Sequence, residues 1–316
     1  MPDSDPAPSQ DRLCVIMNLG SGRKDGAQIE AAIVARLKPR FAAFEIRKTA
    51  RGGDLVQMAR KAAEDGFDIV VAAGGDGTQS AVAGALAGTD VAMGVLPGGT
   101  FNYFARDLGV GEEIDDALDT ILNARIARID LGRVENLVFL NNVSLGAYPH
   151  ILKTRETIYR RWGRSRIAAY WSVLVALRRL RRPMKLTARV NGGSRQFTTA
   201  LVFVARSAYQ LDAFGLEGAD AIRAGKFAVL VARARQPLPL MRSALRLAFG
   251  MSAKNSDFDL LITDELTIET PKQRQLIAHD GEKTVMAAPL NLKVWHDALR
   301  VLLPADGRNK TKDSRT

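Results

Sequence analysis

The chain has 316 residues, of which 47% are apolar and 25% charged, a composition that excludes bulk disorder and leaves room for about two domains of ordinary size. No apolar stretch reaches the roughly 18 residues that cross a bilayer, the longest candidate being 167–177, and the N-terminus shows no basic-then-apolar leader, so neither a transmembrane nor a secreted protein is expected. The net charge of +11 is uneven: residues 1–150 hold 15 basic and 20 acidic side chains (−5), residues 151–316 hold 30 and 14 (+16), which points the second half at an anionic partner, a membrane surface or a nucleic acid. Cys14 is the only cysteine. It excludes a disulfide framework, and its apolar neighbours predict a buried structural residue in a reducing, cytoplasmic compartment.

Residues 1–11 and 305–316 are polar and without periodic apolar pattern, so both are read as disordered tails. From 13 to 122 short apolar runs alternate with helical ones: a strand at 13–17, a helix at 26–37, a strand at 44–49, a helix at 53–64, a strand at 68–73, a helix at 78–86, a strand at 91–97 and a helix at 114–122. This β-α alternation predicts a parallel sheet with helices on its faces, an α/β domain over 12–128. From 129 the texture changes to strands with turn signals: IDLGRV, LVFLNNVSLG, KLTARV, RQFTTALVFVA, KFAVLV, DLLI, LTIET, QLIAHDGE and LNLKVW. A mostly antiparallel β-sandwich or barrel is expected over 129–304, interrupted by helices near 155–181 and 239–249, with 299–304 able to return to the first domain.

Three glycine clusters follow the ends of predicted strands, where an open parallel sheet places its ligands. They are NLGSG at 18–22, GGDGTQS at 74–80 and PGGTFN at 97–102. Each combines backbone N–H groups that approach closely for want of a Cβ with Ser or Thr hydroxyls, and the second opens into a helix N-terminus; together they describe a cradle for phosphate oxygens. One such turn usually just reverses the chain; three in register carry more weight. Neither GxxxxGK[ST] nor GxGxxG occurs, so P-loop and dinucleotide-dehydrogenase readings lack their fingerprints. Asp76 inside the cradle is informative, because a carboxylate beside polyphosphate is repelled unless a cation bridges it or it takes a proton from a nucleophile, and either role belongs to phosphoryl transfer. The three histidines have no HExxH or CxxC partners, which leaves metal ligation and a Ser-His-Asp triad unsupported.

These residues resemble the diacylglycerol kinase catalytic fold of bacterial lipid kinases, related to sphingosine and ceramide kinases. GGDGT at 74–78 matches its hallmark and PGGTFNYFARDLG at 97–109 the loop that follows; the likeness extends to 18–22, Thr49, IDLG at 129–132, FLNNVSLG at 139–146 and DGE at 280–282. The resemblance implies ATP bound in the cleft between an N-terminal α/β domain and a C-terminal antiparallel β-sandwich domain, with the γ-phosphoryl passed to the hydroxyl of diacylglycerol or a related lipid. By position, Asn18, Ser21, Gly22, Thr49, Gly74, Gly75, Gly77, Thr78, Thr100 and Asn102 are similar to the cofactor-binding set, and Asp76 would face the Mg²⁺ that travels with ATP. Asp280 and Glu282 match the carboxylates placed at the reacting hydroxyl, with Glu282 the first choice as proton acceptor and Asp280 or Asp76 its rivals. Asn102 and Arg106 would share a helix face, where Arg106 approaches phosphate or simply pairs with the neighbours of Asp107 in solvent. One departure is Ala224, which stands where the family carries an acidic residue of a structural Mg²⁺ site, so that accessory site is not expected.

Between 160 and 185 the chain carries nine basic residues and no acidic one, with Ile167, Tyr170, Trp171, Leu174 and Leu177 on one helical face. Such a helix can lie in a lipid interface or pack on the sandwich with its arginines in solvent. The expected protein is thus cytoplasmic and peripheral on the inner face of the membrane, with a lipid substrate, an anionic membrane surface and a second copy of the chain as admitted partners. Nucleic acid is not expected, since basic residues are not interleaved with aromatics on a strand platform. The rivals are an NAD kinase, which would show Asn-Glu where this chain has Asn141 and Asn142 and would lack PGGTFN, and a non-catalytic nucleotide- and membrane-binding module.

Overall fold

The computed structural model describes residues 9–19, 26–50, 52–146, 183–233 and 257–305. The chain divides into two units, one of Met1–Asp130 with Asp297–Thr316 and one of Leu131–His296. Both helices expected to interrupt the sandwich, near 155–181 and 239–249, lie outside the described residues.

The first unit alternates β1 (Ser9–Asn18), α1 (Gly26–Leu37), β2 (Phe41–Thr49), α2 (Leu55–Glu64), β3 (Ile69–Gly74), α3 (Asp76–Leu86), β4 (Ala92–Pro97), the short α4 (Tyr103–Asp107) and α5 (Ile114–Leu122). Its strands are parallel in the order β2-β1-β3-β4. Every residue of β3 and β4 is buried, which is why both read as unbroken apolar runs: helices cover both faces of a parallel sheet. α2 buries Leu55, Ala59 and Ala62, one face at helical spacing, while Asp115 and Asp116 in the first turn of α5 complement the positive end of its dipole. β1 begins at Ser9, so residues 9–11 belong to a strand and not to a tail. Cys14 is buried in that strand, and burial pushes its thiol up to about 11, leaving it protonated and structural. The chain leaves β1 for β2 on one side and β3 on the other, and this reversal of strand order opens a crevice at the carboxyl ends of β1 and β3.

The second unit holds β6 (Leu137–Phe139), β7 (Asn142–Gly146), β8 (Met184–Val190), β9 (Gly193–Thr199), β10 (Leu201–Ala205), α6 (Ala208–Phe214), α7 (Ala219–Arg223), β11 (Phe227–Ala232), β12 (Phe258–Thr263), β13 (Glu265–Glu269), β14 (Arg274–His279) and β15 (Glu282–Ala287). Two long strands serve both units: β5 (Ala124–Val134) enters the second, and β16 (Leu290–Pro304) pairs with β13 over Leu290–Lys293 and, at Arg300 and Val301, runs parallel to β4 in the first. Within the second unit one sheet contains β16, β13, β8 and β9, the other runs β12-β11-β10-β7-β14-β15, and all described pairings are antiparallel. Val143, Val204 and Ile277 from one sheet meet Leu186, Ile268 and Leu292 from the other in a single core, so the arrangement is a sandwich.

Three expectations are corrected here. RQFTTALVFVA is two strands: at Ala200 the chain changes sheets, and Thr199 Oγ1 accepts from Leu201 N (3.2 Å) while donating to Ala232 O (2.6 Å). Thr263 builds the same corner between β12 and β13, accepting from Glu265 N (3.2 Å) and donating to Glu265 O (2.6 Å). LVFLNNVSLG is also two strands, broken at Leu140 and Asn141. Finally, α6 and α7 were not expected; α6 is capped by Ser207, whose Oγ accepts from Gln210 N, and both pack on Phe203, Ala205, Ala228 and Leu230 of the second sheet.

Candidate active site

In the first unit the loops after β3 and β4 meet glycine to glycine. A Cβ on Gly99 would lie 2.8 Å from Gly75 Cα, one on Gly98 3.0 Å from Gly74 Cα, and one on Gly74 2.5 Å from Thr78 Oγ1. A Cβ at Gly74 or Gly99 would force its neighbours to shift, and one at Gly75 or Gly98 would press on the facing glycine at 3.1 or 3.0 Å, which is why glycine is favoured at 74–75 and again at 98–99. Gly98 N donates to Gly74 O (2.9 Å), and Gly75 O accepts from Thr78 N (2.9 Å) and Gln79 N (3.1 Å), so that α3 starts directly behind the loop. Thr78 is fastened by Asn18 at the end of β1, whose Nδ2 donates to Thr78 Oγ1 (2.9 Å). A cavity of about 70 Å³, lined by Asn18, Leu19, Ile29, Gly74, Gly98 and Ile114 among others, opens at this crevice.

The remaining sequence candidates of this unit fall as follows. Asn102 is buried with a left-handed backbone (φ 50°) and closes the PGGT turn upon itself, accepting from Gly99 N (2.8 Å) and donating to Gly99 O (3.1 Å). Asp76 Oδ1 accepts from Phe104 N (3.2 Å), tying the first turn of α3 to the start of α4. Gly77 is half-buried in that first turn and Thr100 is exposed. Thr49 is buried at the end of β2, its hydroxyl donating to Asp54 Oδ2 (3.2 Å). Arg106 is ion-paired to Glu112. Ser21 and Gly22 lie outside the described residues.

In the second unit DGE is a tight hairpin. His279 pairs with Glu282 across it, and Asp280 (φ 44°) and Gly281 (φ 88°) both have positive φ, the backbone of a two-residue turn for which Asp-Gly is a preferred sequence. Asp280 is 6% exposed. Its Oδ2 accepts from Leu140 N (2.7 Å) and its Oδ1 from Asn141 N (2.7 Å) and Asn142 N (3.2 Å), while Asp280 N donates to Asn142 O (3.2 Å). The carboxylate therefore clamps the break between β6 and β7, and its oxygens are occupied by backbone donors. Glu282, two residues on, is exposed. His279, just before the turn, has its Nδ1 buried without a hydrogen-bond partner, and burial pushes its pKa below the ordinary value of 6.5 against the opposing pull of Asp280 and Glu282.

Two residues escaped the sequence reading. Gln79, fully buried, donates its amide to Gly74 O (3.0 Å); the signal was an amide side chain inside the apolar face of a helix. Gln210 accepts from Asn142 Nδ2 (3.0 Å), and nothing in the sequence marked the helix that carries it.

Residues 12–134 match the family model described as the diacylglycerol kinase catalytic domain, so the resemblance drawn from the motifs is found independently over this segment. A diacylglycerol kinase of Bacillus subtilis (strain 168) is 37% identical over 133 residues, 41% of this chain and 44% of that protein. One of Staphylococcus aureus (strain bovine RF122 / ET3-1) is 30% identical over 132 residues, 41% and 42% of the two chains. The matched stretch thus spans less than half the length of either relative. A crystal structure of a diacylglycerol kinase from Bacillus anthracis str. Sterne superposes over 94% of this chain and 98% of its own with a TM-score of 0.68 at 18% identity, a likeness of fold.

Proposed function

Starting from a catalytic-domain match over residues 12–134, we propose that the protein is a lipid kinase that transfers the γ-phosphoryl of MgATP to the hydroxyl of diacylglycerol or a related lipid. The observation that carries this reading is the glycine-on-glycine packing of the loops after β3 and β4 beside the N-terminus of α3. Such a surface offers backbone N–H groups and a helix dipole to anionic oxygens, and the hydrogens of its glycines leave the close approach that a phosphate chain needs. The resemblance to kinases of lipids rather than of NAD favours the lipid acceptor over the dinucleotide.

The residues present suit the nucleotide and its cation. The close glycine contacts leave room that a Cβ would take, and the Asp76 carboxylate, in the first turn of the helix behind the loop, is a hard oxygen ligand of the kind Mg²⁺ takes together with phosphates. Mg²⁺, when bound with ATP, neutralises charge on the β- and γ-phosphoryl oxygens. The chain's own part is to hold the phosphates through the N–H groups of 75–77 and 100, those of Thr78, Gly98 and Gly99 being spent within the loops, and to receive one proton. As the lipid oxygen bonds to the γ-phosphorus and the bond to the β,γ-bridging oxygen breaks, the hydroxyl proton passes to the Glu282 carboxylate and ADP leaves. Glu282 is preferred to Asp280 because the former is exposed and the latter spends its oxygens on three amides. The basic segment 160–185, outside the described residues, is proposed to hold the enzyme on an anionic membrane surface at the cytoplasmic face.

The test is to incubate the purified protein with radiolabelled ATP, Mg²⁺ and a mixed bacterial lipid extract in detergent micelles and to separate the lipids. A labelled lipid is expected, and its identity names the acceptor. Label confined to NAD in a parallel incubation would replace the lipid reading, and ATP binding with no label on either would return the chain to the non-catalytic class.

A further inference from the structure

Resting on the nucleotide reading above, we infer that Gln79 is a positioning residue for the phosphates of ATP, acting through the Gly74–Gly75 peptide. A carbonyl oxygen accepts at two lone pairs, and Gly74 O uses both: Gly98 N donates to it at 2.9 Å and Gln79 Nε2 at 3.0 Å. Because the peptide is planar and trans, fixing this oxygen toward the buried Gln79 turns the Gly75 N–H to the opposite side. That side carries the loop surface proposed for the phosphates.

The peptide needs such a pin more than most. It joins two glycines, and a Gly-Gly unit reverses its orientation with little steric resistance. Reversed, it would present a carbonyl oxygen to an anion in place of an N–H. Gly98 N secures the oxygen from the neighbouring loop, and Gln79 secures it from within the helix that follows, so the two loops and α3 share one acceptor.

A second observation separates this role from packing. The Gln79 side chain is 0% exposed and its Oε1 has no hydrogen-bond partner. A buried unpaired amide oxygen costs stability, whereas methionine would fill nearly the same space with no unpaired atom. Glutamine is therefore the weaker choice for the core at 79, and what it adds is the Nε2 donor to Gly74 O.

The experiment compares wild type with Gln79→Met, and with Gln79→Leu as a second background, by calorimetric titration with MgATP and with adenosine in the absence of lipid, together with melting temperatures and the kinase assay. The expected result is a Kd for MgATP raised about tenfold, equivalent to about 1.4 kcal/mol, with adenosine affinity and melting temperature not reduced. In turnover, KM for ATP rises by the same factor while kcat falls less. ATP affinity equal to wild type in both variants overturns the inference. So does a parallel loss of ATP and adenosine affinity with a lowered melting temperature, which assigns Gln79 to packing alone. A wild-type protein that binds neither probe removes the nucleotide reading itself, an outcome distinct from both.

Discussion

The two units offer chemistry in opposite materials. In the first, the surface proposed to bind anions is main chain: glycines at 74, 75, 98 and 99 pressed together, with Asn18, Gln79 and Asn102 turned inward to hold loops. In the second, the reactive groups are side chains on a hairpin, Asp280 anchored by three amides and Glu282 left in solvent two residues on. A surface made of backbone is damaged by adding atoms, and one made of carboxylates by taking charge away. Substitutions that do one or the other should separate the two units cleanly.

The largest effect is expected from Glu282→Gln. Removing the proposed proton acceptor should lower kcat by about 10²- to 10⁴-fold and leave melting temperature and ATP affinity unchanged, since the side chain is exposed; near-normal turnover would take Glu282 out of the mechanism. Gly99→Ala comes next, by the addition of one carbon 2.8 Å from Gly75 Cα. Overpacking there should cost about 3 kcal/mol in denaturant unfolding and weaken MgATP binding as the loops part. Wild-type ATP affinity in a folded Gly99→Ala protein would break the claim that the glycine contact builds the site.

Asp280→Asn follows. Asparagine tolerates positive φ, so the turn survives, but its NH₂ confronts backbone donors and at least one buried amide loses its acceptor, for about 2 kcal/mol. Its kcat should fall less than that of Glu282→Gln. A folded, stable protein with kcat as low as that of Glu282→Gln would instead make Asp280 the base. The smallest effect concerns His279. Its folded pKa is depressed by burial, so below about pH 7 the unfolded chain binds a proton that the folded one refuses, and stability declines as pH falls through 6.5 and below. Replacing it by glutamine should flatten that decline between pH 7 and 5.5; an unchanged slope would show that the acid sensitivity resides elsewhere.

Much of the first unit was legible in the chain because its signals are local and redundant. The helix at 114–122 has the bounds read from periodicity, and the glycine clusters fall after β1, β3 and β4, which are neighbours in the sheet. The second unit was legible as antiparallel β but not in its corners. RQFTTALVFVA satisfies strand preference throughout, and what divides it is one hydroxyl bonding two residues ahead, which no propensity registers. The helices at 208–214 and 219–223 each make fewer than two turns, too short for an apolar stripe to rise above noise. At the site, residue types could nominate Asp280 and Glu282 together; only the amides of 140–142, some 140 positions away, distinguish the anchored carboxylate from the exposed one.

The contact between Gly75 and Gly99 also limits how this chain can be redesigned. The two loops belong to different βα repeats, yet a Cβ on Gly99 would lie 2.8 Å from Gly75 Cα and one on Gly75 3.1 Å from Gly99 Cα, so a side chain on either requires the other loop to give way and the two are rebuilt as a pair. If the proposed nucleotide site is redesigned, a shift in preference has to come from positions that touch neither, and Leu19, Ile29 and Ile114 line the adjoining cavity where such variation enters.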